Sequence, residues 1–147
     1  MLSRLRQRST EEGGFTLIEL LVVILIIGIL AAIAIPAFLS QTGKASDSAA
    51  KTQVGTLQTV METYANENNG SYANATLAKL QVIEPTLNDT TTATAQPVTV
   101  EASGQGFTVS SIAKGTGDTY SLQNKEGEIK RTCANAAGSS VCKGGTW

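Results

Sequence analysis

The 147-residue chain contains no histidine, so it lacks the side chain that most often serves as a general base or a metal ligand. It has only two cysteines, and it shows neither a glycine-rich phosphate loop nor a cluster with metal-ligand spacing. Its 11 basic and 12 acidic residues nearly cancel, which excludes the basic excess of a general nucleic-acid-binding protein. We therefore predict a protein that is not an enzyme and that uses no cofactor and no metal.

The chain does have one long apolar run near its N-terminus. Residues 15–39 are apolar except for Thr16 and Glu19. About 20 apolar residues in a helix suffice to cross a bilayer. Arg4, Arg6 and Arg8 precede the run, and the positive-inside rule keeps such residues in the cytoplasm. The sequence thus predicts a single membrane-spanning helix over 15–39, with its N-terminus cytoplasmic and the rest of the chain outside.

Hydropathy alone leaves two ordinary interpretations open. The run could be a plain single-pass anchor, or a secretory signal peptide cut near Ala32-Ile33-Ala34. Neither explains the glycine pair before the run or the single carboxylate of Glu19 within it. A charged side chain facing lipid is costly, so Glu19 is predicted to have a function.

The stretch GGFTLIELLVVILIIGILAAIAIPAF, residues 13–38, resembles the N-terminus of type IV prepilins and of the pseudopilins of type II secretion. This resemblance implies that residues 1–14 are a cytoplasmic leader, removed by a prepilin peptidase between Gly14 and Phe15. It also implies that the same enzyme methylates the new amino terminus of Phe15. Glu19 matches the glutamate of the family, and Pro36 matches the proline at which the family's helix is kinked.

Elementary electrostatics suggests why Glu19 would be retained. Cleavage would create a positive amine on Phe15, and Glu19 could pair with the amine of a neighbouring subunit. A subunit that docked out of register would leave the carboxylate unpaired in an apolar environment. We therefore interpret Glu19 as a device that registers one subunit against the next.

Residues 40–69 are predicted to continue the helix as an amphipathic segment that ends at Asn68-Asn69-Gly70. Its apolar stripe recurs at spacings of four and three residues. The stripe consists of Ala50, Val54, Leu57, Met61 and Tyr64.

Residues 70–147 are predicted to form a connector loop and an extracellular β-sheet head. Within them 88–96 is polar and is expected to be an exposed loop. Alternating patterns predict strands at 97–102, 106–113, 119–124 and 128–132, joined as an antiparallel meander. The predicted class is α+β: a long N-terminal helix, transmembrane in its first half, packed against a small antiparallel sheet with a disulfide-closed C-terminal loop. This is also the pilin fold that the resemblance implies.

The C-terminal part carries two further predictions. Cys133 and Cys142 are expected to pair if this end lies outside the cytosol, as the resemblance also suggests; two free buried thiols are the alternative. Lys130, Arg131 and Lys143 follow the last acidic residue and predict a weak contact with DNA or an anionic surface. A solvated basic loop is the simpler interpretation of these charges.

The function implied by the resemblance is that of a structural subunit of a type IV pilus, used in adhesion, motility or DNA uptake. The expected partners are further copies of the chain in a helical filament, the prepilin peptidase and N-methyltransferase, an assembly ATPase with its platform protein, and the bilayer before assembly. The precursor would lie in the cytoplasmic membrane and the mature subunit in a surface pilus. Alternatives are a major pseudopilin of a type II secretion or competence system, and a single-pass anchored extracytoplasmic binding domain.

Overall fold

The computed structural model describes residues 14–136, 142 and 145–147. Residues 1–13 of the predicted leader and Lys143 of the predicted basic patch lie outside these described residues. The chain divides into two compact units, Met1–Ala37 and Phe38–Trp147.

Helix α1, Leu17–Glu67, contains 51 residues and covers most of both predicted helical segments. It ends where Asn68-Asn69-Gly70 predicts, since Asn69 (φ 55°) and Gly70 (φ 78°) adopt the left-handed conformation. The Gly70 N–H donates to the Ala65 carbonyl at 2.8 Å, which satisfies a carbonyl of the last turn. Pro36 lies inside the helix, and the kink expected there stays a prediction.

The described part of the first unit, residues 14–37, buries none of its large apolar side chains. Phe15 is 91% exposed, Leu20 62% and Ile33 72%. Helix α1 is long and apolar enough at this end to cross a membrane. A surface this apolar is stable only against lipid or against other apolar surfaces.

Two short helices form the connector after α1. Helix α2, Leu77–Ile83, is capped by Thr76, whose hydroxyl accepts from the Lys79 N–H. A 3₁₀ helix follows at Pro85–Asn88. Leu80 and Leu87 from these two turns are buried, so the connector contributes to the core.

The sheet contains five antiparallel strands: β1 (Ala93–Ala95), β2 (Thr99–Val100), β3 (Gly106–Ala113), β4 (Thr119–Lys125) and β5 (Glu128–Ala134). Strands β2 to β5 form the predicted meander, and β1 pairs with β3 beside β2. The first predicted strand, 97–102, is shortened to Thr99–Val100.

The expectation of an exposed loop over 88–96 is wrong at its C-terminal end. Strand β1 occupies Ala93–Ala95, with Ala93 paired to Ala113. Ala93 and Ala95 are buried, whereas Thr94 between them is only partly buried. A strand of three residues is too short for periodicity to reveal, and its pairing partner lies far along the chain.

One hydrophobic core lies in the second unit, between α1 and the inner face of the sheet. All five residues of the predicted stripe are buried: Ala50, Val54, Leu57, Met61 and Tyr64. The sheet contributes Phe107, Val109, Tyr120 and Leu122 through strict alternation in β3 and β4. The predicted α+β arrangement of a long helix against a small antiparallel sheet is therefore confirmed.

Candidate assembly site

The N-terminus of α1 is closed by a reciprocal pair of contacts between Thr16 and Glu19. The Thr16 hydroxyl accepts from the Glu19 N–H at 3.2 Å. The Glu19 carboxylate accepts from the Thr16 N–H at 3.0 Å and from the Thr16 hydroxyl at 2.7 Å through the same oxygen, Oε2. This is a capping box, in which two side chains satisfy amide groups that the helix itself leaves free.

The capping box fixes the direction of the Glu19 side chain. Its carboxylate is bound to the amide of Thr16, one residue from the nitrogen that would become the amine of Phe15 after cleavage. The carboxylate is therefore held beside the start of the processed chain rather than further along the helix. No role was predicted for Thr16 from the sequence, although the T-x-x-E pattern of Thr16 to Glu19 is typical of a capping box.

The predicted cleavage position lies just before the helix, where the chain is accessible. Gly14 and Phe15 are exposed, and helical structure begins only at Leu17. A Cβ atom built on Gly14 meets no atom within 4 Å. The described chain thus offers this peptide bond without steric obstruction.

One face of the apolar helix carries a shallow groove of about 500 Å³. Its lining is apolar and includes Gly28, where a Cβ atom would meet no atom within 4 Å. Small residues let two apolar helices approach closely. The groove is lined by Leu21, Ile24, Leu25, Gly28, Ile29 and Ala32.

The C-terminal segment is fastened to the end of the sheet. Cys133 in β5 is bonded to Cys142, with their Cα atoms 5.9 Å apart, so the predicted disulfide is confirmed. The Cys133 N–H donates to the Gly145 carbonyl at 3.0 Å. The Trp147 indole N–H donates to the Thr132 carbonyl at 2.9 Å, and its ring packs edge-on against Tyr120.

The predicted basic patch is divided between the two faces of β5. Lys130 lies opposite the exposed Gln123, whereas Arg131 lies opposite the buried Leu122. Directly opposed residues share a face, so Lys130 and Arg131 point to different sides of the sheet. The Arg131 guanidinium lies 5.5 Å from the centre of the Trp147 ring, which gives it a structural partner. Contact with DNA or an anionic surface stays a prediction.

Two tyrosines of the second unit have raised pKa values. Burial, followed by the hydrogen bond and charge of Glu62, raises the pKa of Tyr72 to about 12. Burial, followed by the negative charges of Asp47 and Asp118, raises the pKa of Tyr120 to about 12. Both environments favour the neutral phenol, so neither tyrosine is prepared to act as a base.

Among the described residues no three cysteine, aspartate or glutamate side chains are grouped closely enough to hold a metal ion.

Residues 11–35 match the family model of the prokaryotic N-terminal methylation motif. This match covers the glycine pair, Phe15, the capping box and most of the exposed apolar helix. It does not extend to the head of the chain.

Curated relatives extend the similarity over most of the chain. A fimbrial protein of Pseudomonas aeruginosa is 36% identical over 134 residues, 88% of this chain and 73% of that protein. Fimbrial protein EcpC of Eikenella corrodens is 34% identical over 89% of this chain and 82% of that protein. The type IV major pilin protein PilA of Myxococcus xanthus is 42% identical, but the match covers only 45% of this chain and 30% of that protein.

No solved structure matches the chain significantly. The matches to the two fimbrial proteins nevertheless span the helix, the sheet and the connector between them. Together with the methylation motif and the helix-on-sheet fold, they show that this chain belongs to the type IV pilin family.

Proposed function

We propose that the chain is a prepilin that is cleaved between Gly14 and Phe15, methylated on Phe15 and polymerised with further copies into a helical surface filament. The observation that carries this proposal is the apolar segment from Phe15 to Leu39, whose large side chains are all exposed. Two of the relatives are fimbrial proteins and one is a type IV major pilin, which supports the same conclusion.

The exposed helix needs one apolar environment before assembly and another after it. Before assembly the bilayer supplies that environment, with the N-terminus of α1 toward the cytoplasm. In the filament, neighbouring copies of the same helix would supply it. Because lipid tails and helices are about equally apolar, transfer between them gains little hydrophobic energy, and close packing of small residues must provide specificity. The groove at Gly28 and Ala32 is suited to such packing.

Glu19 is proposed to register the subunits. In the isolated chain its carboxylate is bound to Thr16 and lies at the start of the helix. A methylated amine remains basic, so the amine of a neighbouring Phe15 would be a suitable partner. An assembly ATPase and a platform protein are the proposed source of the work that lifts subunits from the membrane.

The experiment is to express the chain in a cell that assembles type IV pili, shear surface fibres from that cell, and determine the N-terminal residue of the subunits by mass spectrometry. We expect a subunit that begins at Phe15 and carries one extra methyl group. Subunits that begin at Met1, or a chain that stays in the membrane while the cell's own pili form, would contradict the proposal and favour a tethered binding domain.

Gly14→Val is the matched variant for this experiment. The space around Gly14 is open, so a valine side chain is accommodated without disturbing the fold. We expect uncleaved precursor to accumulate in the membrane and fibres to be absent. The reason is that the branched side chain hinders access of the peptidase and does not hinder folding of the chain. Normal processing of this variant would show that the cut lies elsewhere.

A further inference from the structure

A polar cavity of about 690 Å³ opens at the end of the sheet that carries the β4–β5 turn. Helix α1 contributes Glu62 to its wall, and the turn contributes Glu126 and Gly127. Strands β4 and β5 contribute Asn124 and Ile129, which lie opposite each other and share the inner face of the sheet. The lining thus combines two carboxylates with an apolar side chain, and its described residues include no lysine or arginine.

The Glu62 carboxylate is held in the cavity wall by two neutral donors. The Tyr72 hydroxyl donates to it at 2.8 Å, and the Asn124 side-chain amide donates to it at 3.4 Å. Tyr72 and Asn124 are 8% and 6% exposed, so both donors belong to the packed part of the head. Neutral donors orient a carboxylate and leave its negative charge in place. A cationic group that entered the cavity would therefore meet a charge that is already positioned.

The outer face of the same end of the sheet carries charges of both signs. Lys125 lies opposite Glu128 in β5 and opposite Gly106 in β3, and Lys130 is on the same face as Glu128. A Cβ atom built on Gly106 would lie 2.6 Å from the Glu101 carboxylate, which places that carboxylate on this face as well. The outer face therefore has two lysines and two glutamates, whereas the cavity has two carboxylates alone.

The opposite end of the head carries two exposed lysines. Lys114 begins the β3–β4 turn, and Lys44 lies on α1. The Gly115 N–H donates to the Ser46 hydroxyl at 2.7 Å, which fixes this turn against α1 beside Lys44. Ser46 precedes Glu62 by 16 residues in α1. At about 1.5 Å per residue, roughly 24 Å separates this end from the cavity.

The aspartates of this half of the head leave its end surface basic. Asp47 and Asp118 are buried, with 2% and 0% of their surface exposed. Asp89 is exposed, and its carbonyl accepts from the Gln53 side-chain amide at 3.3 Å. Gln53 lies about two helical turns further along α1 than the contact with the β3–β4 turn. The exposed charge next to that turn is therefore that of Lys44 and Lys114.

The other described basic residues of the head are less suited to reach a cavity on another copy. Three of them have partners in their own chain: Lys51 the Tyr120 ring, Lys79 the Asn74 carbonyl and Arg131 the Trp147 ring. Lys125 and Lys130 belong to the cavity's own end. Two copies joined through that end alone would form an isologous contact, which closes into a dimer. A contact between opposite ends is heterologous and can repeat without closing, as a filament requires.

We propose that the cavity bordered by Glu62 and Glu126 receives the Lys114 side chain of a second copy of this chain, with Lys44 of that copy beside it. The inference rests on the proposed function, because it requires that copies assemble into a filament. The ammonium group would lie between the two carboxylates, and the alkyl stem would contact Ile129. Each copy offers the cavity at one end of its head and the lysines at the other, so the same contact can add one copy after another.

The test is a charge swap in the full chain, expressed in a cell that assembles type IV pili. The measurement is the amount of this chain in sheared fibres relative to the amount that is membrane-bound. We expect Glu126→Lys and Lys114→Glu each to lower this ratio by about tenfold or more, because each places like charges opposite one another. The double variant Glu126→Lys/Lys114→Glu restores an opposite pair and should recover most of the yield.

Glu128→Lys is the matched control. It makes the same change of charge two positions along the chain, on the outer face of the sheet opposite Lys125. The control should keep the fibre yield of the unmodified chain. An unchanged yield in Glu126→Lys, an equal loss in Glu128→Lys, or no recovery in the double variant would overturn the inference.

The unmodified chain separates this inference from the proposed function. If the unmodified chain and Glu126→Lys enter fibres in equal yield, the cavity contact is refuted and the filament subunit stands. If the unmodified chain is absent from the fibres, both are refuted.

Discussion

The carboxylate of Glu19 caps the start of α1, and we propose for it a second role in assembly. It completes the capping box with Thr16, which stabilises the first turn of the helix within one chain. It also carries a negative charge that could pair with an amine of another chain. A glutamine at this position can still close a capping box, but it has no charge.

Glu19→Gln and Glu19→Ala therefore distinguish the two roles. We expect both variants to insert into the membrane and both to lose fibres, because the proposed registration depends on the charge. The measurement is the yield of sheared fibres relative to the amount of membrane-bound subunit. Thr16→Val is the matched control, since it removes the capping hydroxyl and keeps the charge, and it should retain fibres. Normal fibre yield from Glu19→Gln would assign Glu19 to capping alone.

The buried phenols of Tyr72 and Tyr120 make the head sensitive to alkaline pH. Their pKa values rise from the ordinary 10 to about 12 in the folded chain. Between these limits the unfolded chain loses protons that the folded chain retains, so the free energy of unfolding falls as pH rises from 10 to 12. Below pH 10 the contribution of both phenols to the free energy of unfolding is fully present.

Tyr120→Phe tests this sign. Tyr120 is 1% exposed, and a shift of about two pKa units corresponds to about 2–3 kcal/mol at pH 12. We expect the variant to lose correspondingly less stability than the unmodified chain between pH 10 and pH 12, as measured by urea unfolding in detergent. The same loss in both proteins would show that Tyr120 ionises normally when folded.

A covalent bond ties the C-terminal segment to the sheet. The disulfide joins Cys133 and Cys142, which are nine positions apart in sequence, and ties the C-terminal segment to the edge strand β5. On the chain-entropy model, a loop of this size is stabilised by about 2–3 kcal/mol. Trp147 and the Gly145 carbonyl add noncovalent contacts to the same end of the sheet.

Replacing both cysteines, Cys133→Ser/Cys142→Ser, should lower the free energy of unfolding of the head by about 2–3 kcal/mol. The measurement is the urea midpoint of unfolding in detergent. The midpoint of the double variant should equal that of the unmodified chain under reducing conditions, which is the control. A midpoint equal to that of the oxidised unmodified chain would mean that the noncovalent contacts alone hold the loop.

The elements differ in how well local sequence predicts them. The α1 stripe was predictable because five apolar residues repeat with helical spacing, and all five are buried. Strand β1 was not predictable, because two of its three residues are alanines and the strand is defined by its pairing with β3. The boundary of β2 was misjudged for a related reason, since Pro97 has no N–H to donate to a ladder.

At the scale of the whole molecule, burial and exposure are separated along the chain. Every residue of the hydrophobic core lies at Ala50 or later, within the unit Phe38–Trp147. The described residues of the other unit expose their large apolar side chains. The core that stabilises the fold and the exposed apolar surface therefore lie in different segments of the chain.

This separation predicts that a chain beginning at Ser40 will fold without detergent. It keeps the entire core and the disulfide, and it loses the apolar surface that requires lipid. We expect a monomer with cooperative thermal unfolding by circular dichroism, whereas the full chain should aggregate unless detergent or lipid is present. Noncooperative unfolding of the shortened chain would show that the head needs the apolar half of α1 to fold.

Local sequence was sufficient for the apolar half of α1, the end of that helix, the stripe and three of the strands, because these depend on hydropathy, short-range capping and residue spacing. Other features depend on residues far apart in the chain. They include the pairing of β1, the division of Lys130 and Arg131 between two faces, and the burial of Asp47 beside Thr116. Only the folded chain brings such residues together, because periodicity specifies which face a residue occupies but not what lies opposite it.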